Sequence, residues 1–185
     1  MKNNKKSATV LFGSPRSEGF TSKLLSYFLK ELNDYNITFI DSYKENIHPC
    51  IDCGICKTKE SCRFHDLDDF DYCLRTTDLL IIATPIYNLS VPAPLKAIFD
   101  RTQRYFSARF YQNKKPPIKK NKYVVLLLTC GSNDKRGPEI VISQIEMIST
   151  ILNAKLIGTI IADNTDKNTN IQNFIPEIQK TVKLL

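Results

Sequence analysis

The sequence predicts an α/β protein: a doubly wound five-stranded parallel sheet with helices on both faces. Three observations carry this. Five short apolar runs alternate with amphipathic helical stretches, the rhythm that builds parallel sheets. The runs LLIIA and YVVLLL are continuously apolar, as strands buried on both faces are. The first run ends in a loop of Gly, Ser and Thr that opens straight into a helix.

Taken in order, Ser7–Gly13 is the first strand. A helix over residues 21–32 follows, with Leu24, Leu25, Phe28, Leu29 and Leu32 at helical spacing. Ile37–Asp41 is a shorter second strand. A loop from Ser42 to His65 leads to a helix over Asp66–Thr76, whose acidic first turn suits the dipole. Leu79–Ala83 is a buried strand. Pro92 and Pro94 then set up a helix from Leu95 to Tyr105, with Leu95, Ile98 and Phe99 inward. The polar, basic segment Ser107–Asn121, broken by Pro116 and Pro117, reads as an excursion between elements. Tyr123–Leu128 is the fourth strand. Pro138 opens a helix to Leu152 with Val141, Ile145, Ile148 and Leu152 on one face. Leu156–Ala162 is the fifth strand, and a helix over Phe174–Leu185 closes the chain, with Ile175, Ile178 and Val182 inward.

The 185 residues are expected to form a single domain, 1–185, with a cysteine-rich loop at about 47–65. An apolar fraction of 42% with 24% charged residues is that of a globular chain. No apolar run has the length that crosses a bilayer, and the basic N-terminus leads into too short a run for a signal peptide. A cytoplasmic protein without membrane contact is expected, with its thiols reduced. Four of the six cysteines fall between Cys50 and Cys62, which favours metal or redox chemistry over a disulfide framework. The net charge of +7 is densest in KKPPIKKNK, yet no basic face interleaved with aromatics or recognition module accompanies it. Nucleic acid is therefore not an expected partner, although the sign favours anionic nucleotides.

The loop of GSPRSEGFTSKLL carries the first functional signal. Ser14, Ser17, Thr21 and Ser22 offer hydroxyls, Arg16 a fixed charge, and the helix N-terminus unpaired amides, which together suit a phosphate. The loop lacks the Lys of a Walker motif and the third Gly of a dinucleotide fingerprint. It also lacks a phosphatase Cys or an acceptor Asp. A Ser/Thr-rich pocket for a terminal phosphomonoester remains, beside the plainer alternative of an ordinary strand–helix turn. With strand order 2-1-3-4-5, the flavodoxin-like order, ligands sit beyond the strand ends between strands one and three. The loops Ser14–Ser22, Thr84–Ser90 and Thr129–Ser132 are predicted to meet there. In the second, Tyr87 is either a flat partner for a ring system or a core aromatic.

GSPRSEGFTSKLL, PCIDCGICKTKESC and TPIYNLSVPAPLKAIFDR resemble the NADPH-dependent FMN reductase superfamily, and within it the iron–sulfur flavoprotein branch. The resemblance implies FMN, held at its phosphate by Ser14, Arg16, Ser17, Thr21 and Ser22. Along the ring it implies Thr84, Pro85, Ile86, Tyr87, Asn88 and Ser90, with Thr129 and Gly131 on the closing turn. Phe20, Thr84 and Asn88-Leu89 depart from the residues usual in the family. Relatives also imply a homodimer or homotetramer.

Cys50, Cys53, Cys56 and Cys62 form C-x2-C-x2-C-x5-C, a compact run that suits a [4Fe–4S] cluster wrapped by one loop rather than a zinc ribbon. A structural loop with packed or weakly zinc-binding thiols is the alternative. Cys73 and Cys130 are expected to pack, and His48 and His65 to be structural or at the surface. The expected activity is an FMN-dependent oxidoreductase that takes electrons from NAD(P)H to a small acceptor, a flavin or quinone, with no side-chain acid–base pair required. The alternatives are an electron carrier holding FMN and a cluster, with a ferredoxin-like protein partner, and a non-catalytic ligand-binding module.

Overall fold

The computed structural model describes residues 5–168 and 170–185. Its centre is a five-stranded sheet in the order β2-β1-β3-β4-β5. The strands are β1 (Lys6–Phe12), β2 (Tyr35–Asp41), β3 (Leu79–Pro85), β4 (Lys122–Thr129) and β5 (Ala154–Ala162). Every pairing is parallel, which is the flavodoxin-like arrangement. The helices are α1 (Phe20–Glu31), the single turn α2 (Ile55–Thr58), α3 (Asp68–Thr76), α4 (Ala93–Arg101), α5 (Gln103–Phe110), α6 (Arg136–Ile151) and α7 (Ile175–Val182). Among the described residues no helix is long and apolar enough to cross a membrane.

Alternation along each strand sorts the core into two layers. On one face Ala8, Val10, Phe12, Ile81 and Ala83 pack beneath Leu24, Leu25 and Phe28 of α1 and Ile178 of α7. On the other, Leu11, Leu80, Ile82 and Leu126 meet Phe70 and Leu74 of α3, Leu95 and Ile98 of α4, and Val141 and Ile145 of α6. Each fully buried side chain of this size contributes roughly 1.5–3 kcal/mol. The central strands carry apolar residues in both layers, which explains their unbroken apolar sequence. The edge strand β2 is half covered, leaving Ile37 and Phe39 exposed.

Several predicted boundaries move. The third strand runs on through Thr84 to Pro85, which pairs with Thr129, so these two residues end a strand rather than begin a loop. Pro85 is tolerated there because it is the last residue of the strand. The helix predicted over Leu95–Tyr105 is two helices, α4 and α5. Thr102 breaks it: its amide and its hydroxyl both donate to the Phe99 carbonyl, at 3.0 and 2.7 Å. The second piece continues to Phe110, so Ser107–Phe110 is helical and not part of the excursion. The last helix begins at Ile175 after a 3₁₀ turn over Ile171–Phe174.

Candidate functional site

The carboxyl ends of β1, β3 and β4 bring the three expected loops together. Gly13 leaves β1 by donating its amide to the Ala83 carbonyl at 2.8 Å. A Cβ at Gly13 would stand 2.5 Å from Leu95 Cδ2 and 2.9 Å from Thr84 Oγ1, so only glycine lets the loop lie this close to β3. Ser14 is buried, and its hydroxyl accepts from the Arg16 amide at 3.2 Å. Ser17 and Arg16 are exposed, and Arg16 has no carboxylate partner among the described residues. Helix α1 starts at Gly19 without a side-chain cap and without an acidic residue in its first turn. The amides of Phe20, Thr21 and Ser22 donate to no acceptor among the described residues. Here is an uncapped, positively biased helix end with a free guanidinium beside it.

Thr21 ties this loop to the far side of the site. Its hydroxyl lies 2.6 Å from that of Thr129 at the end of β4, and both residues are buried. Thr129 also accepts the Ile86 amide at 2.8 Å. The second loop is therefore anchored to β4 at Ile86, while Thr84 turns inward and donates its hydroxyl to the Pro85 carbonyl at 2.9 Å. Beyond Ile86 the chain folds back: Tyr87 and Ser90 exchange backbone hydrogen bonds at 2.8 and 3.0 Å. Asn88 and Leu89, at φ 50° and 62°, form the tip. Both are in the left-handed region, the signature of a tight hairpin-type turn. Tyr87 is 42% exposed. It is a surface aromatic, so the reading of a core residue is set aside.

The third loop follows Thr129. Cys130 is buried, and burial pushes its thiol pKa up, so it packs rather than reacts. Sequence reasoning missed what holds this turn. Residues after β5 clasp it: the Asn164 amide donates to the Ser132 carbonyl at 2.9 Å, and the Thr165 amide to the Cys130 carbonyl at 3.0 Å. Asp166 fills the space where a Cβ on Gly131 would stand. The Asp/Asn-rich string ADNTD was the available signal.

A groove of about 670 Å³ joins the phosphate-type loop from the β2 side. Phe12, Leu25, Leu29 and Phe39 form its floor, and Ser14, Ser17 and Ser22 are shared with the loop. Asp41 and Tyr43, also lining it, were not among the expected site residues. Burial and the nearby Tyr87 push the Tyr43 phenol above its ordinary range.

The cysteine segment forms a separate structure. Cys50 and Cys53 are exposed, Cys56 and Cys62 half-buried, and all are free thiols. The Cys56 sulfur lies 3.4 Å from the Ser107 hydroxyl on α5. Among the described residues no three His, Cys, Asp or Glu side chains come together as a ligand set. The four cysteines thus share a loop without sharing a coordination geometry here, because two face solvent and one is turned toward α5. What holds the loop is Arg101. Its side chain is 2% exposed, pairs with Asp66, and donates to the carbonyls of His48 at 3.3 Å and Phe64 at 2.8 Å. Burial raises the Asp66 carboxyl, but the His48 amide and the Arg101 guanidinium outweigh it and leave it below the usual range. His48 stacks on Phe64 and pairs with Asp66, and His65 pairs with Asp68, both as structural side chains. Cys73 is half-buried against the core, as expected.

With this geometry in hand, comparison with known proteins is specific. The family described as NADPH-dependent FMN reductase matches residues 7–167. The chain is 34% identical over 101 residues to an iron–sulfur flavoprotein of Archaeoglobus fulgidus, covering 53% of this chain and 46% of the relative. It is 33% identical over 123 residues to an FMN-dependent NADH:quinone oxidoreductase of Coprothermobacter proteolyticus, covering 62% and 61%. The chain spans about half the length of the curated relatives it matches. Among solved structures, the fold superposes on an NAD(P)H:quinone oxidoreductase from Methanothermobacter marburgensis with TM-score 0.77 and 18% identity, over 97% of this chain and 98% of that one.

Proposed function

The chain belongs to the NADPH-dependent FMN reductase family, and from that premise we propose that it binds FMN at the ends of β1, β3 and β4 and serves as an oxidoreductase. Electrons would come from a nicotinamide nucleotide and leave to a small acceptor such as a quinone or free flavin. The observation that carries this reading is the uncapped N-terminus of α1, with Arg16 beside it, locked through Thr21 to Thr129. A phosphomonoester would take the amides of Phe20, Thr21 and Ser22, the hydroxyls of Ser14, Ser17 and Ser22, and the charge of Arg16. Tyr87 offers an exposed flat face. The tip amides of Asn88 and Leu89, which donate to no acceptor among the described residues, are the donors a ring edge would use. The residues fit the cofactor. FMN, when bound, supplies the acceptance of hydride and the onward release of electrons. The protein's part is to hold, orient and shield, so no acid–base pair is required. A relative named as an FMN-dependent NADH:quinone oxidoreductase supports a quinone as acceptor.

The test is a titration of apo-protein with FMN and FAD, followed by anaerobic mixing of the flavin-loaded protein with NADH and then a quinone. FMN should bind more tightly than FAD, since no Gly-rich turn is available for a pyrophosphate. The flavin should bleach with NADH and regain colour with quinone. Tighter FAD binding, or a flavin that NADH leaves coloured, would overturn the reading.

A second reading is favoured by the relatives named iron–sulfur flavoprotein together with the C-x2-C-x2-C-x5-C spacing. A cluster would require the thiols of Cys50, Cys53, Cys56 and Cys62 to come together as one ligand set. Iron and acid-labile sulfide per FMN after anaerobic reconstitution decide it, with Cys53→Ala as control. Wild-type protein that holds FMN but no iron would eliminate the cluster.

A further inference from the structure

The basic stretch KKPPIKKNK is not a loose excursion. It walls a cavity of about 670 Å³ against α3 and the end of the cysteine segment. Five cations line that cavity, Arg75, Lys114, Lys115, Lys119 and Lys120, against one carboxylate, Glu60. Arg75 and Lys114 share Glu60, the former at 2.6 Å. From outside the cavity, Asp71 holds Arg75 at 3.0 Å and Asp78 holds Lys120 at 2.8 Å. Even with all three carboxylates set against the five cations, two positive charges are left over. They sit on Lys115 and Lys119, which are exposed and pair with no carboxylate among the described residues.

The walls are fixed before any ligand arrives. Ile118, 0% exposed, plugs the segment into the core. The Asn153 side-chain amide donates to the carbonyls of Ile118 and Lys119 at 3.0 and 3.2 Å, and the Lys114 amide to that of Ala108 at 2.9 Å. Pro116 and Pro117 lock their own φ angles between the two lysine pairs. Cations on a backbone held this way lose less freedom on binding than cations on a loose loop. Gathering like charges destabilises the folded state by self-repulsion, which a bound anion would relieve.

We infer that this cavity binds a small ligand carrying a chain of phosphates, at a site separate from the flavin. None of its residues belongs to the three loops at the strand ends, and the inference does not rest on the proposed function. Each lysine ammonium has three donors and acts as a point charge, which suits phosphate oxygens approaching from several directions. The cavity has the size of a small-molecule site and is several times larger than one phosphate. No aromatic ring lines it among the described residues, so the base stacking that holds a nucleic acid strand has no platform. Glu60 lies between Cys56 and Cys62, so the ligand and the cysteine segment would share Arg75 and Lys114.

The experiment titrates full-length protein calorimetrically, in excess FMN, with inorganic tripolyphosphate, ATP and AMP. Tripolyphosphate should saturate at one per chain without releasing FMN, and ATP should bind comparably. AMP, with one phosphate, should bind at least about tenfold more weakly. Lys115→Gln and Lys119→Gln, both at exposed positions outside the ion pairs, should each weaken tripolyphosphate about fivefold without lowering the melting temperature. Lys180→Gln, at an exposed position on α7 across the sheet, should change nothing. Tripolyphosphate that fails to saturate, displaces FMN, binds no better than AMP or ignores both cavity variants would overturn the inference. So would an equal loss in Lys180→Gln, the mark of unspecific charge attraction. A Glu-rich peptide that binds more tightly than tripolyphosphate would overturn it in favour of a protein partner. Protein that holds no FMN yet shows these ratios would count against the proposed function alone.

Discussion

Arg101→Leu should loosen the neck of the cysteine loop while sparing the flavin site. The change removes the ion pair with Asp66 and the hydrogen bonds to the His48 and Phe64 carbonyls. Breaking a buried pair costs about 3–5 kcal/mol when the remaining charge stays dry. Asp66 is not wholly dry: its side chain is 19% exposed and keeps the His48 amide at 2.7 Å. We therefore take a loss of about 3 kcal/mol, the low end of that range. With a urea dependence of about 2 kcal/mol per molar, the midpoint should fall by about 1.5 M. Limited proteolysis should open new cuts between residues 49 and 65. FMN affinity should hold, because Arg101 touches none of the three strand ends. A midpoint drop below about 0.5 M with no new cleavage would refute the clamp.

Other expectations are briefer. Arg16→Ala should leave the unfolding midpoint unchanged, since the side chain is exposed and unpaired among the described residues, and weaken FMN about tenfold in fluorescence titration. Thr21→Val should weaken FMN too, but also lower stability by about 1–2 kcal/mol, because the buried Thr129 hydroxyl loses its partner. Gly13→Ala should cost about 1–3 kcal/mol through the clash with Leu95 and Thr84, read as a lower melting temperature. Asp78 tests the acid limb. Burial pushes its carboxyl up, but Lys120 and the Ser7 amide and hydroxyl outweigh it and hold it at about 2. A carboxyl depressed in the folded state stabilises above its unfolded pKa, about 3.9, and the gain disappears as pH falls toward 2. Its side chain is 37% exposed, so solvent screening trims the gain to about 1 kcal/mol. Asp78→Asn should therefore be less stable than wild type at pH 7, and the gap in urea midpoint should close near pH 2; a gap of equal size at both would refute the assignment.

The sheet was legible because its signal is local. A run such as LLIIA or YVVLLL needs no distant partner to declare itself buried on both faces, and the alternation with helices then restricts the strand order. The loop after β1 was legible for the same reason: residue type and position alone suggest an uncapped, phosphate-seeking helix end. What escaped depends on partners far along the chain. Arg101 sits in a stretch that reads as an ordinary amphipathic helix, and nothing nearby shows that its guanidinium turns inward to Asp66. The break at Thr102 hides similarly, since threonine is no helix breaker until its hydroxyl bonds back to Phe99. Asp41 and Tyr43 line a groove that exists only where α1 leaves β2 half covered. The clasp of Asn164 and Thr165 on the third loop joins two segments that sequence spacing treats as unrelated.

The bond between Thr21 and Thr129 spans 108 residues of chain, and it bears on biogenesis. On a ribosome, β1, β2 and β3 emerge together and can pair early, with the first two loops made but not yet tied to Thr129. The wall they lean on arrives only with β4, and the clasp on the third loop only after β5. A partly made chain thus carries the phosphate-type loop without the contact that sets its position. Cofactor uptake would then mark completion of the sheet rather than begin it. A ligand that prefers the finished state stabilises that state alone, by about 2.7 kcal/mol at a hundredfold excess over its Kd. Flavin supply would therefore govern how much finished protein accumulates more than how fast the first strands find one another.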